Sequence, residues 1–248
     1  MRGLRAALGW TLVCALGACA GTETGNPSFV GTLGYDAYSG APSVVGLSMA
    51  LSAAEDAPLV VDSAWLVLGD VQLRAGADCA AARVEIDGLG AGDHASGQAP
   101  PTEFASEPGR FCGVELPFAP PAGGLPEDAP GSLQSESVLV LGQLPDGRAF
   151  EVHSALNERL SLRATAGDFV LDSKHRSVVI GFDVARWLAE LSWDTAVTTD
   201  GSVIVSASSN PELLDQFEAA VPGGVTLFRD HDSDGELDSD PEPLAVGY

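Results

Sequence analysis

The segment Ser137–Leu156, SVLVLGQLPDGRAFEVHSAL, sets the fold. Two strand-length runs rich in Val, Leu and Phe flank the turn residues Pro145, Asp146 and Gly147. Proline presets its own φ and glycine accepts positive φ, so the chain reverses here and the runs pair as a β-hairpin. Working outward, the same kind of run recurs: VVGLSMALS, AWLVLGDVQL, ARVEID and RFCGVELPF before the hairpin, then RLSLRA, DFVLD, SVVIGFDV, SVIVSAS and VTLF after it. In RLSLRA, Leu160, Leu162 and Ala164 share one face while Arg159, Ser161 and Arg163 share the other, the period of a half-buried strand. About ten such strands predict an all-β sandwich.

Two stretches carry helical signals instead. DVARWLAEL has Asp183 as its N-cap, and Val184, Trp187, Leu188 and Leu191 recur at helical spacing, which reads as core packing. NPELLDQFEAA places Asn210 at the N-cap and Pro211 at the first helical position. Two further stretches lack periodicity and are rich in Gly, Pro and Ala: Gly88–Gly109 and Ala119–Glu136. Both are expected to be long loops, forming either a mobile acidic rim or two plain surface insertions.

The N-terminus adds a location. Arg2 and Arg5 precede an apolar run from Ala6 to Ala18, too short for the roughly 20 residues a spanning helix needs and suited to a secretory leader. Leu16–Cys19, LGAC, resembles the bacterial lipobox, so residues 1–18 are expected to leave as a lipoprotein signal peptide. By that resemblance Cys19 becomes the lipid-bearing first residue; the competing reading is an ordinary leader cut near ACA. Several acyl chains, at roughly 0.8 kcal/mol per buried CH₂, hold such a chain on a membrane. Residues 19–43, small and polar with repeated Gly and Pro, read as a flexible tether, and residues 44–229 as the β-sandwich domain.

Cysteine use agrees with export. Cys14 leaves with the leader and Cys19 takes lipid, so Cys79 and Cys112 remain. They are expected to form one disulfide clamping the ends of the first long loop, the competing state being two free thiols.

Formal net charge falls from −23 to −25 once Arg2 and Arg5 are removed, and Lys174 is the single lysine. Such a surface repels phosphate backbones and draws cations, which argues against nucleic acid as a partner.

The residues after Val225-Thr-Leu-Phe read FRDHDSDGELDSDPEP, with seven carboxylates between Asp230 and Glu242. Asp230, Asp232, Asp234, Glu236 and Asp238 fall at positions 1, 3, 5, 7 and 9 of a loop with Gly235 at position 6, the first half of a D-x-D-x-D-G calcium loop. Alternate residues of a tight loop turn their oxygens inward, glycine permits the turn, and the main-chain carbonyl of position 7 adds a ligand. Calcium suits this donor set because it takes six to eight hard oxygen ligands. The pattern breaks at position 12, where Pro241 stands in place of a bidentate glutamate and Glu242 follows one place late. Residues 230–248 are therefore expected to be a calcium-loop-like acidic segment holding a structural ion at roughly 10⁻⁴ to 10⁻³ M; the competing reading is a solvated acidic tail.

GTETGNP, Gly21–Pro27, directly after the lipid cysteine, resembles the tether of lipoproteins of myxobacteria and related predatory soil bacteria. The later order of AWLVLGDVQL, PGRFCGVELPF, SVLVLGQLPDGRAFEV and VVIGFDVARWL is similar to an uncharacterised group of those envelope β-sandwich lipoproteins. The resemblance implies a location and a fold, and no activity. With Ala20 after the lipid cysteine, analogy with lipoprotein sorting places the chain at the outer membrane.

Signatures of catalysis are missing: there is no G-x-S-x-G, H-E-x-x-H, Walker or dinucleotide-glycine pattern, and His94, His153, His175 and His231 are scattered singly. The expectation is an envelope protein that is not an enzyme, a binding or structural module with an envelope or extracellular ligand that the sequence does not name. The alternatives are a carbohydrate-binding or adhesion module, requiring exposed Trp65 or Trp193, and a hydrolase, requiring a nucleophile, a histidine and an acid in one cleft.

Overall fold

The computed structural model of the chain describes residues 27–38, 49–51, 59–88, 90–95 and 100–248. The leader, Cys19, most of the tether and much of VVGLSMALS lie outside the described residues. In chain order the strands begin with β1 (Phe29–Tyr38), β2 (Met49–Leu51), β3 (Leu59–Leu68), β4 (Val71–Ala75) and β5 (Ala81–Ile86). Next come β6 (Gly90–Asp93), β7 (Thr102–Ser106), β8 (Gly109–Phe111) and β9 (Gly113–Phe118). The hairpin strands are β10 (Val138–Gln143) and β11 (Ala149–Ser154), followed by β12 (Glu158–Ala164), β13 (Phe169–Leu171) and β14 (Ser177–Asp183). Helix α1 (Val184–Ala189) precedes β15 (Thr198–Thr199) and β16 (Ser202–Val205); α2 (Pro211–Ala220) precedes β17 (Val225–Arg229) and β18 (Pro243–Gly247).

The protein has an all-β fold with two short helices. Its principal sheet is one continuous ladder in the order β15-β16-β11-β10-β3-β9-β12-β18-β17-β14-β1-β7, and β8 with β13 forms a separate ribbon. The sheet curls on itself, because strands far apart in that order fill one core: Val140 and Val152 from the hairpin join Leu33 of β1 and Ile180 of β14. The hairpin has the expected register, with Val138 opposite Ser154 and Gln143 opposite Ala149. Its turn closes through Leu144 and Arg148, and Gly147 takes a φ of +83°.

Three expectations need correction. Residues 29–38, read as part of the tether, form β1, which pairs in parallel with β14 and antiparallel with β7. Phe29, Leu33, Tyr35 and Ala37 are buried at period-2 spacing, while the interposed glycines and polar residues weaken the sequence signal. Gly88–Gly109 is not a bare loop. It holds β6, paired with β3, and β7, paired with β1, and β8 starts at its end; ladder pairing by neighbours overrides the poor strand propensity of Gly and Ala. Asn210 stands at the start of α2 but does not cap it. Its φ is +54°, and its side chain instead bonds the Val197 N–H, the Val197 carbonyl and the Ile204 carbonyl, tying α2 to the residue before β15 and to β16.

The Asp183 cap, the core face of α1 and the Cys79–Cys112 pairing are as read. Asp183 accepts the Arg186 N–H at 3.0 Å, and Trp187 is fully buried with its indole N–H on the Val221 carbonyl. Cys79 and Cys112 are joined, with Cα atoms 5.7 Å apart; the bond links the β4–β5 turn to the β8–β9 junction. Among the described residues no helix is long and apolar enough to cross a membrane.

Candidate metal centre

Strand β17 delivers the chain into the acidic loop. Its last residue, Arg229, is buried and donates to the carbonyls of His175 and Val170, so the direction of entry is fixed. Asp230 follows at 3% exposure, its N–H bonded to the Ser177 carbonyl of β14. Its two carboxylate oxygens accept the N–H groups of Ser233 at 2.6 Å and of Gly235 at 3.1 Å, curling the next five residues around it. That curl needs positive φ at Ser233, +66°, and at Gly235, +85°.

The curl brings Asp230, Asp232 and Asp234 together, with one oxygen of each within 4.8 Å of the others. Asp230 is buried beneath; Asp232 and Asp234 are exposed at the rim. These are positions 1, 3 and 5 of the sequence motif. The carboxylates of Glu236 and Asp238 lie outside that group. Glu236 donates its N–H to Asp234 at 2.9 Å, and Asp238 accepts the His231 N–H at 3.0 Å, closing the loop at its mouth. Glu242, just past Pro241, faces His231 at 3.8 Å.

The electrostatics of the site are unfavourable without a cation. Burial pushes the Asp230 carboxyl above the usual range, the two N–H bonds oppose this, and Asp234 and Asp232 raise it further. A bound divalent ion would offset both burial and mutual repulsion.

One participant was invisible in the sequence. Asp36 of β1 accepts the N–H of Leu237 at 3.3 Å, across 201 residues. Burial first, and then Glu236 and Asp234, push its carboxyl up to about 6 against the N–H bonds it accepts. Beside it, the loop lies so close to β1 that a Cβ on Gly34 would run into the Gly235 carbonyl. A hydroxyl chain adds a third tie: Thr32 donates to Ser177 at 2.8 Å, and Ser177 donates to Ser233 at 2.7 Å. The acidic loop is therefore seated on β1 and β14, not a free tail. The regular D-x-D spacing points to the loop, but nothing local in the sequence points to Asp36.

Elsewhere the residues considered for catalysis or sugar binding are separate. Trp65 and Trp187 are buried, and Trp193 is half-buried against Phe150 with its N–H on the Leu188 carbonyl. Among the described residues His153 contacts Glu136 and Glu151, His175 contacts Asp172, and His94 is enclosed; no serine or cysteine hydrogen-bonds any of them.

No protein-family model matches the chain, and no curated protein matches it. Among solved structures the chain is similar to MbnP from Methylosinus trichosporium, at 15% sequence identity and a TM-score of 0.48, covering 89% of this chain and 99% of that one.

Proposed function

We propose that this chain is a lipid-anchored envelope protein, held at the outer membrane through Cys19, whose curled β fold is a non-enzymatic binding or structural module fastened by one calcium ion. The observation that carries the calcium reading is the convergence of Asp230, Asp232 and Asp234 on a loop already seated against β1. Hard, clustered carboxylates without a cysteine or a histidine in the group suit calcium over zinc or copper. The ion is structural in this reading: Asp230 sits under the loop, Ser233 ties it to Ser177 of β14, and Leu237 ties it to Asp36 of β1. The main-chain carbonyl of Glu236 and water would complete the coordination.

The absence of a bidentate glutamate at position 12 keeps affinity at the weak, extracellular end, roughly 10⁻⁴ to 10⁻³ M. Calorimetric titration of calcium into chelator-stripped protein should give one saturable site in that range, lost in the Asp232→Asn/Asp234→Asn double variant. Absence of a saturable heat in the parent protein sinks the calcium reading. Mass spectrometry of the mature N-terminus tests the anchor independently: acylated Cys19 is expected, and an unmodified Cys19 or a start elsewhere removes it.

A further inference from the structure

Residues 119–136 cross the outer face of the sheet as a strap, irregular except for a 3₁₀ turn at Gly131–Ser135. Leu125, Ala129 and Leu133 of this strap pack on Trp65 and Val67 of β3, Leu139 and Leu141 of β10, and Ala91 of β6. This is a second apolar cluster, separate from the main core, and under the strap Trp65 is only 7% exposed.

The strap is tied to the sheet at its two ends. Ala119 bonds the Val67 carbonyl and Ser137 bonds the Ser154 carbonyl, while the main-chain bonds between them, at Ala129, Leu133 and Glu136, stay within the strap. Among the described residues, the polar side-chain contact that joins the strap to the sheet is Glu136 with His153 of β11.

That contact has a proton requirement. Nδ1 of His153 lies 3.0 Å from both oxygens of Glu136, and Nε2 lies 2.9 Å from Oε2 of Glu151. Carboxylates only accept hydrogen bonds, so both contacts are bonds only when both ring nitrogens carry a hydrogen. A neutral imidazole carries one, and its other nitrogen then turns a lone pair on a carboxylate. Among the described residues, β10 and β16, which flank β11, bear no titratable side chain; α2, packed on β11, carries Glu212, Asp215 and Glu218, of which Glu218 accepts the Ser154 hydroxyl; and Glu127 and Asp128 of the strap are exposed.

We propose that His153 is a proton-operated latch: as imidazolium it clamps the strap over Trp65, and on losing its proton it lets the strap lift, uncovering the apolar strip of Trp65, Val67, Leu139 and Leu141. Acid therefore closes the strap and alkali opens it.

Amide hydrogen exchange of residues 120–136, normalised to intrinsic rates, should rise about tenfold from about pH 5.5 to about pH 8, the loss expected for one charge-assisted hydrogen bond. Acrylamide quenching of Trp65, taken as the difference between the chain and Trp65→Phe, should rise with it. His153→Gln, which cannot take a charge, should abolish both pH responses. Normalised exchange that does not change with pH in the parent chain overturns the latch. So does a pH response that survives in His153→Gln, which would place the titration elsewhere, as at Asp36.

Discussion

His94 offers a direct test of the energetics of the core. It is 1% exposed, its ring lies against Tyr35 and Phe182, and neither ring nitrogen has a hydrogen-bond partner. Burial lowers its pKa from 6.5 to about 4; the Tyr35 main chain opposes this weakly, without reaching hydrogen-bond geometry at either nitrogen. The fold thus holds the neutral ring. Below the unfolded value of 6.5 the unfolded chain takes up a proton that the folded chain refuses, so stability falls as pH drops from 6.5 towards 4. At about 1.36 kcal/mol per pH unit, bringing the pH to about 4.5 costs about 2.7 kcal/mol from this residue, a large part of a typical 5–15 kcal/mol. Urea unfolding followed by tryptophan fluorescence, at about pH 7.5 and about pH 4.5, should show this loss in the parent chain and its removal in His94→Phe. Other groups titrate in both proteins, so the difference between the two losses is the quantity that counts. Equal losses in the parent chain and in His94→Phe would refute the reasoning.

Asp36→Asn keeps an acceptor for the Leu237 N–H and removes a charge that burial, Glu236 and Asp234 disfavour. With its folded pKa raised from 3.8 to about 6, the acid costs stability above pH 6 and recovers it as pH falls towards 3.8. In chelator, Asp36→Asn should therefore unfold at higher urea at about pH 7.5, by up to about 3 kcal/mol, with the advantage gone near pH 4. Gly34→Ala should press a methyl group into the Gly235 carbonyl, lowering stability by about 1–3 kcal/mol and weakening calcium binding in calorimetry. Replacing Cys79 and Cys112 by serine opens a crosslink spanning 33 residues, and chain entropy puts the loss at about 3.7 kcal/mol in urea unfolding.

How much of this was legible in the sequence depended on whether the signal was local. SVLVLGQLPDGRAFEV carries both its strands and its turn within sixteen residues, and β10–β11 forms as read. RLSLRA and SVVIGFDV were legible for the same reason, one by alternation and the other by an apolar run buried throughout β14. Strands β1, β6 and β7 were not, because interspersed Gly, Ala and acidic residues weaken their intrinsic preference and their ladders come from strands distant in sequence, β14 for β1, β3 for β6 and β1 for β7. Spacing alone identified Asp230, Asp232 and Asp234 as a group, since a tight loop turns alternate side chains to one side. The carboxylates of Glu236 and Asp238 lie outside that group, and Asp238 accepts the His231 N–H. Asp36 and the Gly34–Gly235 approach arise only when the two ends of the chain meet.

The calcium claim rests most directly on thermal unfolding of the protein in chelator and in calcium. With a dissociation constant of roughly 10⁻⁴ to 10⁻³ M, about 5 mM calcium stabilises the folded state by about 1–2.3 kcal/mol. At about 2–4 °C per kcal/mol for a chain of this size, the melting temperature should rise by about 2–9 °C, and Asp230→Asn should remove the rise. Equal melting temperatures in chelator and in millimolar calcium would contradict the account.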